Sequence, residues 1–124
     1  MKSTSIWQGL AALLAFASVA FGAFGAHGVA DPKAADWLRT GAEYGLIHCL
    51  ACFAAALAIN HGHHRAKPVP AILLAGVLLF SGSLYAMALG APRWLGAVTP
   101  IGGLCFLVGW AVLALAYFTP RADG

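Results

Sequence analysis

Apolar residues run in four long stretches along the chain, and polar residues gather in the short gaps between them. The first stretch covers Ile6 to Ala26. At ~1.5 Å per residue, a helix over it is long enough for a hydrocarbon core of ~30 Å. A glycine-rich bend, Gly25-Ala26-His27-Gly28, follows. Asp31-Pro32 then supplies a capping residue and a proline for a first helical turn, which predicts a second helix from Pro32. Its opening part, Lys33 to Glu43, mixes Trp37 and Leu38 with Asp36 and Arg39, a blend suited to the membrane interface. No breaker interrupts this helix through Gly45 to Ile59, the second span. Asn60 to Lys67 is a short polar loop, and Val69-Pro70 opens a third span that runs to about Leu89. Gly90 to Trp94 forms a turn with another interfacial tryptophan. Thr99-Pro100 reads as a second cap-then-proline start, and the fourth span runs from there to Phe118. The predicted fold is all-α: a polytopic membrane protein, a bundle of four transmembrane helices with a short interfacial helical segment before helix 2, forming one domain over residues 1–124.

Composition sharpens this picture. Of the residues, 61% are apolar and only 9% are charged, whereas soluble domains carry about 25% charged residues. A short chain has a high surface-to-volume ratio and needs polar surface to stay in water, a need that a lipid-facing surface removes. The net charge of +3 is small and scattered, and no basic stripe is interleaved with aromatics, so nucleic acid is not an expected partner. The expected surroundings are the lipid bilayer, with a homo-oligomer as a further possibility. Lys2, the apolar run and the small residues from Ala23 to Ala30 imitate a secretory signal. The run exceeds the 7–15 residues usual for a signal core, so a retained span is expected. Four spans put both termini on one side, with Lys2, Arg65, Lys67 and Arg121 against Lys33, Arg39 and Arg93 on the other. That narrow excess predicts cytoplasmic termini in a bacterial-type inner membrane.

The spans also hold polar residues, which must find partners away from lipid. His27, Glu43, Tyr44, His48, Ser81, Ser83, Tyr85 and Thr99 come from all four helices and fall at one depth, in the half away from the termini. Thr40, Tyr44 and His48 are spaced four apart and share a helix face, as do Ser81 and Tyr85. A hydrogen-bonded cluster around His48 and His27 is expected. It has two readings. Such groups act as interhelical glue, worth about 0.6 kcal/mol each and up to about 2, or they line a small polar cavity for a ligand or a proton. Gly22, Gly25, Gly41, Gly45, Gly82, Gly102, Gly103 and Gly109 are expected to let helix backbones approach closely, within the chain or between copies.

Other candidates are weaker. Cys49-x-x-Cys52 sits inside a span with no external pair to exchange with, so buried apolar packing is favoured over redox chemistry. His61, His63 and His64 share one loop without a carboxylate and read as solvated rather than metal-binding. No nucleotide loop, hydrolase elbow or zinc-protease motif occurs, and no paired acids face each other. No enzyme, cofactor or metal is therefore expected.

Several segments carry a resemblance. Phe21 to Gly28 (FGAFGAHG), Trp37 to His48 (WLRTGAEYGLIH), Leu79 to Tyr85 (LFSGSLY) and Gly96 to Trp110 (GAVTPIGGLCFLVGW) are spread over all four spans. Together they resemble the YgdD-like family of small bacterial inner-membrane proteins, a domain-of-unknown-function family with eukaryotic relatives. The resemblance implies a four-helix membrane protein and no particular reaction. At Glu43 the family more often has an amide, so an ionisable role there is particular to this chain. The functional expectation is a non-enzymatic membrane bundle that self-associates or joins a complex and holds a lipid or small hydrophobic ligand. The alternative is a small oligomeric transporter or channel working through the polar cluster.

Overall fold

The computed structural model describes residues 2–121. Its elements are α1 (Lys2–His27), α2 (Pro32–Asn60), α3 (Val69–Ala88) and α4 (Thr99–Phe118), with single 3-10 segments at His64–Ala66 and Arg93–Ala97. All four helices are long and apolar enough to cross a membrane. Met1 and Gly124, the ends that the charge count assigns to one side, lie outside the described residues.

The helix ends follow local chemistry. Asp31 caps α2 by accepting the Ala34 N–H at 3.2 Å, and Pro32 occupies the first turn, where no N–H is needed. Gly62 and Gly90 follow the ends of α2 and α3 at φ of +95° and +108°. This left-handed backbone is open to glycine at little steric cost and turns the chain away from each helix. The start of α4 differs from the sequence expectation. Val98, not Thr99, holds the cap position and makes no side-chain cap bond. The 3-10 segment before it winds directly into the helix, with Val98 already in helical backbone, so the turn itself supplies carbonyls to the first N–H groups. That frees the Thr99 hydroxyl for another partner.

α2 and α3 form the central pair, α1 packs on α2, and α4 packs on α3. Among the described residues, the flanking helices α1 and α4 share no extended contact. The buried side of α2 is built from small residues, among them Ala51, Cys52, Ala55 and Ala56. These let neighbours come close, which is how helices gain packing energy when lipid removes any hydrophobic drive to associate. Leu73 and Val77 of α3 and Phe106 and Leu113 of α4 complete this core. The outer faces are apolar too: Phe16 is 75% exposed and Leu107 67%. Faces like these are stable against hydrocarbon and costly against water.

α2 has 29 residues, about 43 Å at ~1.5 Å per residue, or about 13 Å more than a hydrocarbon core of ~30 Å. The excess belongs at its N-terminal end. There Arg39 pairs with Asp36 at 2.7 Å, and Lys33 and Arg93 each lie 5.7 Å from the centre of the Trp37 ring. Two cations on one tryptophan tie the start of α2 to the segment before α4 at the membrane surface.

Candidate functional site

The polar residues singled out from the sequence separate into distinct sets, divided by the α2–α3 pair. The first set lies where α1, α2 and α3 meet. Tyr85 donates its hydroxyl to Ser18 at 3.0 Å, and Ser81 donates to the Gly41 carbonyl at 2.7 Å. Phe21 stacks on the Tyr85 ring with centroids 4.3 Å apart. Gly45 makes this convergence possible. A Cβ there would strike the Ser18 hydroxyl and come within 3.1 Å of Ser81 and 3.4 Å of the Tyr85 hydroxyl.

A second set joins α2 to α4. His48 is buried, and its Nδ1 lies 2.7 Å from the Tyr44 carbonyl. A carbonyl only accepts, so Nδ1 carries a proton. Nε2 lies 3.0 Å from Nε1 of Trp110, an indole that only donates, so Nε2 is unprotonated. The two bonds together define a neutral imidazole with both nitrogens satisfied. Its ring stacks on Phe106 at 3.6 Å between centroids and meets Trp110 edge-on, while Tyr44 packs against Phe80 at 4.8 Å.

A third contact links α3 to α4. Ser83 donates to the Phe80 carbonyl at 3.0 Å and lies 2.5 Å from the Thr99 hydroxyl. One hydroxyl has one proton, so Thr99 is the donor between them. This is the partner that the displaced start of α4 makes available.

His27 and Glu43 are not brought into these sets. Both are exposed, and neither forms a hydrogen bond or ion pair among the described residues. The expected contact of His27 with His48 is not made, because His48 faces Trp110 and Phe106 of α4, whereas His27 lies at the end of α1, which packs on the other flank of α2. Glu43 points outward from α2. The overhang of that helix puts Glu43 and Tyr44 within about one turn of the membrane surface, where a carboxylate can reach water. Ser18, Phe21, Phe80, Phe106 and Trp110 are the participants that sequence reasoning missed. The available signals were an isolated serine inside an apolar run and a donor-only indole inside the last span.

The glycines also divide. Added Cβ atoms would meet Ala42 at Gly22, Leu38 at Gly25, Tyr85 at Gly41, Leu73 at Gly109, and the Phe80 backbone at Gly102. Gly82 and Gly103 have open space instead, so neither serves packing within the chain. Gly76, absent from the sequence expectation, takes the Phe106 ring, where a Cβ would come within 2.6 Å. Cys49 and Cys52 are free thiols in the core, and Cys52 points at the Trp7 carbonyl 3.8 Å away.

Comparison with known proteins adds a lineage. The model of the family described as "Protein of unknown function (DUF423)" matches residues 21–103. A UPF0382 membrane protein of Haemophilus influenzae is 43% identical over 116 residues, covering 91% of this chain and 94% of that protein. The UPF0382 inner membrane protein YgdD of Escherichia coli is 42% identical over 118 residues, covering 92% and 90%. The UPF0382 membrane protein YwdK of Bacillus subtilis is 35% identical, covering 86% and 91%. No solved structure matches.

Proposed function

The chain belongs to the DUF423 family of YgdD-like membrane proteins, and from that premise we propose that it is a non-enzymatic inner-membrane bundle that self-associates or joins a larger complex and holds lipid on its bilayer-facing surface. The observation that carries this reading is the division of its polar and apolar groups. Each buried polar side chain among the described residues has its partner within the chain, whereas α1 and α4 turn apolar faces outward along their length. What the molecule offers to others therefore lies within the bilayer. Gly103 adds a small, open position on α4 of the kind that admits a neighbouring helix. A groove of about 370 Å³ between Trp7, Leu10 and Leu14 of α1 and Leu74, Ala75 and Leu78 of α3 suits an acyl chain.

The transporter alternative draws less support, because the polar groups form separate closed contacts instead of a continuous path. An orientation with cytoplasmic termini fits the engagement of cations. Arg39, Lys33 and Arg93 are held by Asp36 and Trp37 at one end, whereas Arg65, Lys67 and Arg121 at the other make no ion pair among the described residues. Native mass spectrometry of protein extracted gently from its own membrane tests the proposal. The expected result is a defined oligomer or complex carrying retained lipid. A bare monomer, with no neighbour captured by cross-linking in the intact membrane, overturns it.

A further inference from the structure

Two clefts open side by side where α2 turns into α3 and α4 ends. One, of about 170 Å³, lies between the turn at His63 to Arg65 and the segment at Ala116 to Pro120. The other, of about 240 Å³, lies between His61 and Arg121, floored by Leu57 and Tyr117. His63 lines both. Its Nδ1 donates to the Ala116 carbonyl at 3.1 Å, and its ring lies against Tyr117 with centroids 4.7 Å apart. His61 is anchored the same way, with Nδ1 donating to the Leu57 carbonyl at 2.9 Å. Each imidazole is thus pinned to a helix end by one nitrogen and keeps Nε2 outside that bond.

Among the described residues, the charge around these clefts has one sign; Asp123, two residues beyond Arg121, lies outside them. Arg65 and Arg121 stand in the walls, and Lys67 is exposed in the same turn. The described acidic residues, Asp31, Asp36 and Glu43, belong to the opposite end of α2. Leu57 of α2 floors the second cleft and is exposed, and Leu115 and Phe118 are exposed near the end of α4. A cationic rim above an apolar helix surface matches an amphiphile. The arginines meet a phosphodiester, and the leucines and Phe118 meet the chains beneath it. A free phosphate would use the rim alone and leave the apolar part uncovered.

We propose that this paired cleft binds the headgroup of an anionic phospholipid in the leaflet on that side of the membrane. It specifies the lipid class for the lipid-holding part of the proposed function and rests on that reading. The test is lipid retention by the full chain in detergent, titrated with phosphatidylglycerol, with phosphatidylcholine and with inorganic phosphate as competitor. The variants are Arg65→Gln with Arg121→Gln, and Arg93→Gln at the other end as a charge-matched control. Each arginine at a membrane surface is worth about 5-fold in affinity, so the double variant should bind phosphatidylglycerol about 30-fold more weakly. The control should stay within about 2-fold of the native chain, because its charge lies a membrane thickness away. Equal retention of both lipids by the native chain overturns the headgroup site while leaving lipid holding intact. So does an unchanged double variant, or a control that loses as much. Retention of neither lipid overturns both readings. Displacement of phosphatidylglycerol by millimolar phosphate identifies a soluble anion as the ligand and overturns the lipid assignment.

Discussion

Trp110 on α4 donates its indole N–H to Nε2 of His48 on α2 at 3.0 Å, across the central pair's flank. The contact pins the outer helix to the centre of the bundle, because α2 and α4 otherwise meet little. It also defines the histidine as the neutral form with its proton on Nδ1. Trp110→Phe keeps the ring and removes the donor, leaving a buried acceptor unpaired. The expected loss is about 0.6–1.7 kcal/mol of unfolding free energy in bicelles. A double-mutant cycle with His48→Ala should recover most of it as coupling. In 15N-labelled protein, the Nε2 resonance of His48 should report an unprotonated nitrogen, and a protonated one would remove this account of the contact.

Gly45 is the point on which three hydroxyls converge. Gly45→Ala should cost about 1–3 kcal/mol, because overpacking forces side chains or backbone to shift. The clash is chiefly with the Ser18 hydroxyl, so Ser18→Ala in the same chain should restore part of the loss. Thermal unfolding of the two single variants and the double variant decides it. Additive losses would mean that the backbone, and not Ser18, takes the strain.

Neighbouring glycines on α4 should behave oppositely. A Cβ at Gly102 would meet the backbone of Phe80, and at Gly103 it would meet nothing. Gly102→Ala should destabilise by more than about 1 kcal/mol. Gly103→Ala should preserve or raise the stability of the isolated chain, by up to about 1 kcal/mol from helix propensity. If Gly103 packs against a second copy, the same variant should shift the oligomer toward monomer. Sedimentation in matched-density detergent measures that shift.

Cys49 and Cys52 are buried within the core, whereas Cys105 is partly exposed. A membrane-permeant maleimide should therefore label Cys105 first and reach the other two only after denaturation in SDS. Rapid labelling of Cys49 or Cys52 in the native bundle would show that α1 opens away from α2.

Much of the architecture is legible in the chain alone, for one physical reason. A bilayer demands apolar runs of about 20 residues and forbids unpaired backbone within them. Span number, the cap at Asp31 with Pro32, the continuous second helix and the polar turns are therefore all written in one dimension. So is the rule that Ser81, Tyr85 and His48 must turn toward partners. The choice of partner is not written there. In water an amphipathic stripe marks each helix's inner face, but these helices are apolar on nearly every side, and their rotation is decided by packing. Depth placed His27, His48 and Tyr85 together, yet helix order puts Tyr85 with Ser18 on one flank and His48 with Trp110 on the other, and leaves His27 outside both. Likewise, only the 3-10 segment before α4 decides that Thr99 meets Ser83 and does not cap its own helix. The bilayer set the lengths, and close packing of small residues across the central pair set the neighbours.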